Sequence, residues 1–158
     1  MMENYLNILE ESLHKKLEVL DKIEDYNTKQ HEIFSEEKAS LDEFDEAIEE
    51  KGKLIEQLTR LDDGFESLYA KVSEELQSNK AKYAEQIKRM QELVKQVTDK
   101  SVSVQAQEAR NKALIEEYFA KERAGIRNNR KSSKAAFDYY KSMSSAAAMN
   151  PQFMDSKQ

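Results

Sequence analysis

The sequence predicts an all-α protein, an elongated antiparallel three-helix coiled-coil bundle followed by a flexible C-terminal tail. Little in the chain interrupts a helix: among 158 residues the only proline is Pro151 and the only glycines are Gly52, Gly64 and Gly125. Proline costs about 3 kcal/mol and glycine about 1 kcal/mol inside a helix. Charged residues make up 35% of the chain, and apolar residues recur at steps of three and four, the profile of coiled coils and long bundles. Charge is also divided along the chain. Residues 1–75 hold 22 acidic and 9 basic side chains, a balance of −13, and residues 76–158 hold 9 acidic and 16 basic, a balance of +7. Packing one half against the other relieves repulsion within each.

The first helix is predicted over about 3–34. Leu6, Leu9, Leu13, Leu17, Leu20 and Ile23 form one stripe, which must be buried. Asn27, Thr28, Gln30 and His31 interrupt that stripe before Ile33 and Phe34, predicting looser packing at this end. Ser40 followed by Glu43 has capping-box spacing and starts a second helix over about 40–77. Its stripe runs through Leu41, Phe44, Ile48, Ile55, Leu58, Phe65, Leu68, Val72 and Leu76 and keeps phase across Gly52 and Gly64. A turn at Ser78-Asn79 leads to a third helix over about 80–124. Its seam is Tyr83, Ile87, Met90, Val94, Val97, Ser101, Val104, Glu108, Asn111, Ile115 and Tyr118. Ser101, Glu108 and Asn111 are polar seam positions, which specify register more than stability.

These helices make one domain, residues 1–124. At 1.5 Å per residue the third helix, about 67 Å, outruns partners of about 48 and 57 Å. Its apolar overhang, Ile115, Tyr118 and Phe119 continuing to Ile126, has no obvious intramolecular partner, and an unpaired apolar stripe suggests a binding surface. Residues 125–158 read as a flexible basic and apolar tail. Within it Ala136, Phe137, Tyr140 and Met143 share a face and predict a short helix at 133–143, too short to be stable alone.

Composition narrows the function classes. No cysteine is present, which removes disulfide and thiol chemistry and fits a reducing compartment. No apolar run approaches the roughly 20 residues of a membrane span, and the N-terminus lacks the basic and apolar regions of a signal peptide, so the expected location is the cytosol without membrane insertion. His14 and His31 do not form a metal pair. The acidic run Asp42, Glu43, Asp45, Glu46, Glu49 and Glu50 lacks a calcium-loop glycine pattern, and phosphate loops and nucleophile elbows are absent. The sequence therefore predicts no enzyme, no metal and no cofactor.

Two binding alternatives remain. Lys121, Arg123, Arg127, Arg130, Lys131 and Lys134, with Phe137, Tyr139 and Tyr140 after them, could combine phosphate contacts with stacking. The acidic remainder of the chain would repel a polyanion, so no nucleic-acid partner is expected. A self-associating structural coiled coil is the other alternative. Three stripes that pair within one chain predict a monomer, with a dimer left open.

The segment LDEFDEAIEEKGKLIEQLTRLDDGFESLY, Leu41 to Tyr69, resembles the central helix of the FlgN family of flagellar export chaperones. EARNKALI, residues 108–115, resembles that family's third-helix signature with an asparagine on the seam. Phe153-Met154-Asp155-Ser156-Lys157 resembles the endings of clostridial-type relatives. The resemblance implies a cytosolic, non-catalytic chaperone of type III export that binds hook-associated proteins, the hook-filament junction subunits, and prevents premature assembly. It also implies the flagellar export apparatus as a partner. Carried onto this sequence, the family's C-terminal client-binding region corresponds to Ile115, Tyr118, Phe119, Ile126, Phe137 and Tyr140, and its export-gate docking by tyrosine to Tyr118, Tyr139 and Tyr140. Ile115 and Tyr118 also lie on the seam, where bundle core is an equal reading.

Overall fold

Four helices form where the apolar stripes keep phase. A computed structural model describes residues 2–35, 41–121, 126–147 and 153–154, with backbone alone for 121, 126–131 and 144–147. The helices are α1 (Met2–Ser35), α2 (Leu41–Ser78), α3 (Ala84–Lys121) and α4 (Ile126–Ala147). The expected cap at Ser40 lies outside the described residues. At the α2–α3 turn, the Asn79 amide donates to the Leu76 carbonyl at 3.0 Å, and Asn79 Nδ2 donates to the Glu75 carbonyl at 2.7 Å. One side chain thus closes the end of α2, where carbonyls lack intrahelical partners. The turn occupies 79–83, so α3 starts four residues later than the predicted 80.

Contacts between side chains give the direction of each helix. Lys16 meets Asp62 and Gln30 meets Lys51, so residue numbers rise on α1 as they fall on α2, and the two run antiparallel. Asn7 meets Gln86, Glu10 meets Arg89 and Asn27 meets Gln107, a nearly constant offset, so α1 and α3 run parallel. Tyr139 lies at Glu108, and farther along the chain the Met154 carbonyl accepts from Gln91 Nε2 at 3.0 Å. The chain from α4 to Met154 therefore descends antiparallel to α3.

Helix α1 packs on both α2 and α3, and α4 packs on α2 and, less extensively, on α3. Among the described residues the backbones of α2 and α3 do not approach each other, nor do those of α1 and α4. The cross-section is a square with α1 opposite α4. The expected three-helix bundle with a flexible tail is corrected here: three helices alone leave the α2–α3 side of the apolar stripes open, and α4 covers it. This helix is 22 residues long against 38 for α2, or about 33 Å against about 57 Å. Beyond its reach, Phe153 and Met154 cover the same side. The Phe153 ring lies 6.2 Å from Phe65 and 5.2 Å from Tyr69, and Met154 is buried.

The core falls into two clusters. One holds Leu6, Leu9, Leu13, Phe65, Val72, Leu76, Ile87, Met90 and Met154. The other joins Leu20, Ile23, Phe44, Ile48, Ile55, Val97, Val104 and Ile115 to Ala136, Tyr139 and Met143 of α4. Each buried Leu, Ile or Phe contributes roughly 1.5–3 kcal/mol relative to exposure. The looser end predicted for α1 is also corrected: Asn27 and Gln30 are fully buried, because polar partners on α2 and α3 meet them. Among the described residues no helix is long and apolar enough to cross a membrane.

Candidate functional site

A groove of about 530 Å³ runs between α3 and α4. Ile115 and Phe119, four residues apart, bring one apolar ridge from α3; Ala136, Phe137 and Tyr140 bring the other from α4. Lys112, Glu116, Ser133 and Lys141 form a polar rim. Phe137 is 68% exposed, the most exposed large apolar side chain described. Four of the sequence-predicted contact residues, Ile115, Phe119, Phe137 and Tyr140, therefore share one depression.

The other predicted residues lie elsewhere. Tyr118 turns to the α1 side, with its ring 5.2 Å from Phe34 and edge-on to it. Phe119 packs edge-on to Phe44 at 6.0 Å, and Phe34 meets Phe44 at 5.1 Å. Such pairs add about 0.5–1.5 kcal/mol beyond area burial. The end of α3 is thus partnered within the chain, which corrects the expectation of an unpaired overhang. Ile115 is buried and serves as both groove floor and core. The Ile126 side chain and the basic side chains at 121–131 lie outside the described residues.

Helix α4 is also rotated from its expected phase. Among its described residues the buried side chains are Ser132, Ala136, Tyr139 and Met143, a 4-3-4 spacing, so Tyr139 points inward and Phe137 outward. Tyr139, expected to dock at the surface, is instead buried with its hydroxyl donating to Glu108 Oε1 at 2.6 Å.

That contact belongs to a buried polar network drawn from all four helices. Lys51 of α2, wholly inaccessible, donates to Glu108 Oε1 of α3 at 2.8 Å and to Gln30 Oε1 of α1 at 2.7 Å. Its ammonium sits 4.3 Å from the centre of the Tyr139 ring, a cation–π distance. Burial lowers the Lys51 pKa from 10.5 to about 8, although Glu108 opposes the shift. Burial, then the Glu108 charge, pushes the Tyr139 and Tyr140 phenols upward. One layer on, Asn111 Nδ2 donates to the Asn27 carbonyl at 2.9 Å, and Asn27 Nδ2 donates to Gln107 Oε1 at 3.2 Å. Closer to the N-terminus of α1, Lys16 and Asp62 form a second buried pair at 2.6 Å, and burial raises the Asp62 carboxyl more than Lys16 lowers it.

The sequence reading found Glu108 and Asn111 on the seam but missed Lys51, Gln30, Lys16 and Asp62 as core residues. A signal existed. The α2 stripe skips positions 51 and 62, and the α1 stripe breaks at 27 and 30; all four continue the three-and-four spacing, whereas Leu17 fills the step that hides Lys16. Polar residues in those slots require partners on facing seams.

Among the described residues no three His, Cys, Asp or Glu side chains are grouped to hold a metal ion. In comparisons with family models, curated proteins and solved structures, the chain matches none.

Proposed function

We propose that the chain is an export chaperone of the FlgN type that binds amphipathic helical segments of hook-associated proteins in the α3–α4 groove and keeps them from assembling early. The exposed Phe137 above Ile115, Phe119 and Tyr140 carries this reading. Helix-in-groove recognition uses apolar anchors on one helix face, and a groove already walled by two helices lets a third lie against them. The polar rim carries both signs, at Lys112, Lys141 and Glu116, so a client can pair its flanking charges while its apolar face is covered. Tyr118 and Tyr140 are the proposed export-gate contacts, since both are only partly buried. The protein acts in the cytosol as a monomer, and no reaction is catalysed.

A pull-down from cytosol of the source organism tests this, comparing the intact chain with one ending after Ala124, which lacks α4. Hook-associated proteins retained by the intact chain and lost with the truncation support the reading. Capture of nuclease-sensitive material and no flagellar subunit by the intact chain overturns it in favour of a basic nucleic-acid-binding tail. A mass that rises with concentration in light scattering, again without a flagellar subunit, favours the self-associating structural coiled coil.

A further inference from the structure

Apolar burial alone does not select the rotation that α4 adopts. Ser132 is 2% exposed, while Phe137, five residues on, is 68% exposed. Adjacent residues on a helix are separated by about 100°. On that geometry the described large apolar side chains of α4, Phe137, Tyr139, Tyr140 and Met143, are centred roughly 45° toward α3 from the buried set Ser132, Ala136, Tyr139 and Met143. Rolling α4 by that angle would press Phe137 onto Ile115 and Phe119 and fill the groove. It would also move Ser132 out of the core, and neither change is opposed by apolar packing.

The buried network opposes the roll. The Tyr139 hydroxyl reaches Glu108 Oε1, which also holds the Lys51 ammonium, and that ammonium lies over the Tyr139 ring. Both contacts require Tyr139 to point between α2 and α3. Rolled away, Tyr139 would leave a buried ion pair without its third member, and removing a partner from a buried charge costs more than the bond contributes.

We propose that Tyr139 is the positioning residue of the α3–α4 groove: its bond to Glu108 holds α4 in the rotation that keeps Phe137 outside and the groove open. Tyr139 touches no groove ligand itself; it acts through the angle at which Phe137 and Tyr140 are presented. The consequence for client binding rests on the function proposed above, but the rotation does not and can be measured without any partner.

The chain contains no cysteine, so single introduced thiols report on α4 cleanly. Ser133→Cys lies on the α3 side of the helix, exposed, and Ala135→Cys lies on the α2 side, half-buried. Thiol-labelling rates at each site are measured in the full chain with Tyr139 and with Tyr139→Phe, with circular dichroism confirming helical content. The expected result is opposite changes: about tenfold slower labelling at 133 and about tenfold faster at 135, the factor set by one hydrogen bond to a charged group. Faster labelling at both sites means that α4 merely loosens and overturns the proposal, as do unchanged rates at both. Should Tyr139→Phe alone fail to fold, Lys51→Met/Glu108→Leu/Tyr139→Phe removes the ion pair together with the tyrosine hydroxyl and leaves no buried charge. It must give the same pair of opposite changes for the proposal to stand.

Discussion

Replacing Lys51 by methionine removes the cation at the centre of the bundle and leaves Glu108 buried, with a side chain 5% exposed, held by the Tyr139 hydroxyl but without its counter-charge. Breaking a buried pair from one side costs about 3–5 kcal/mol, a large share of the 5–15 kcal/mol typical of a whole domain. For a chain of this length that is a fall of roughly 10 °C in the unfolding midpoint. The network itself is not a net source of stability. Lys51 holds its proton less tightly than a free lysine even beside Glu108, so burial costs the ammonium more than the carboxylate returns. Lys51→Met/Glu108→Leu/Tyr139→Phe should therefore recover the part of the loss that comes from the lone carboxylate, leaving the cost of the buried Gln30 amide that has lost Lys51, about 1–3 kcal/mol. Urea denaturation followed by circular dichroism measures both variants. A neutral Lys51→Met, or a triple variant less stable than that single one, would refute the reasoning.

The same lysine makes stability pH-dependent. From about pH 8 to 10 the unfolded chain holds the Lys51 proton and the folded chain has released it, so stability should rise with pH in that window and should not do so in the triple variant. Above pH 10 the raised phenols of Tyr139 and Tyr140 act in the opposite direction and stability should fall. Gly52 and Gly64 lie inside α2, and a Cβ at either would meet nothing within 4 Å. Gly52→Ala and Gly64→Ala should each stabilise by about 1 kcal/mol, read as a higher urea midpoint; destabilisation by either would show a close approach that the structure lacks. Phe153→Ala/Met154→Ala should lower stability by at least about 2 kcal/mol and increase Tyr69 exposure to solvent, and an unchanged midpoint would mean that this segment does not cover the α2–α3 side.

Helix content was legible because apolar spacing is a local signal: the stripes of α1 to α3 can be traced without knowing what they face. The place of α4 was not. Its apolar residues admit two rotations, and the choice between them comes from Lys51 and Glu108, distant in sequence and on different helices. Asn27 and Gln30 were misread for the same reason. Polar residues in a stripe look like weak packing until the facing seam shows Gln107, Asn111 and Lys51 opposite them. The groove was half legible. Phe119, Phe137 and Tyr140 stood out as apolar residues beyond the expected bundle and Ile115 as a seam residue at its end, but Tyr139 could be assigned to the interior, and Tyr118 to the ring cluster at Phe34, only once Glu108 and Phe34 were placed.

The most direct test of the proposed function is the affinity of the purified chain for a purified hook-associated protein, measured by calorimetry at low and at moderate salt for the intact chain and for Phe137→Ser. Phe137 is exposed, so the substitution should leave the fold unchanged. Binding that changes little with salt and weakens by about tenfold or more in Phe137→Ser is the predicted result. Equal affinity for both chains, or binding that collapses as salt rises, would contradict an apolar groove centred on Phe137.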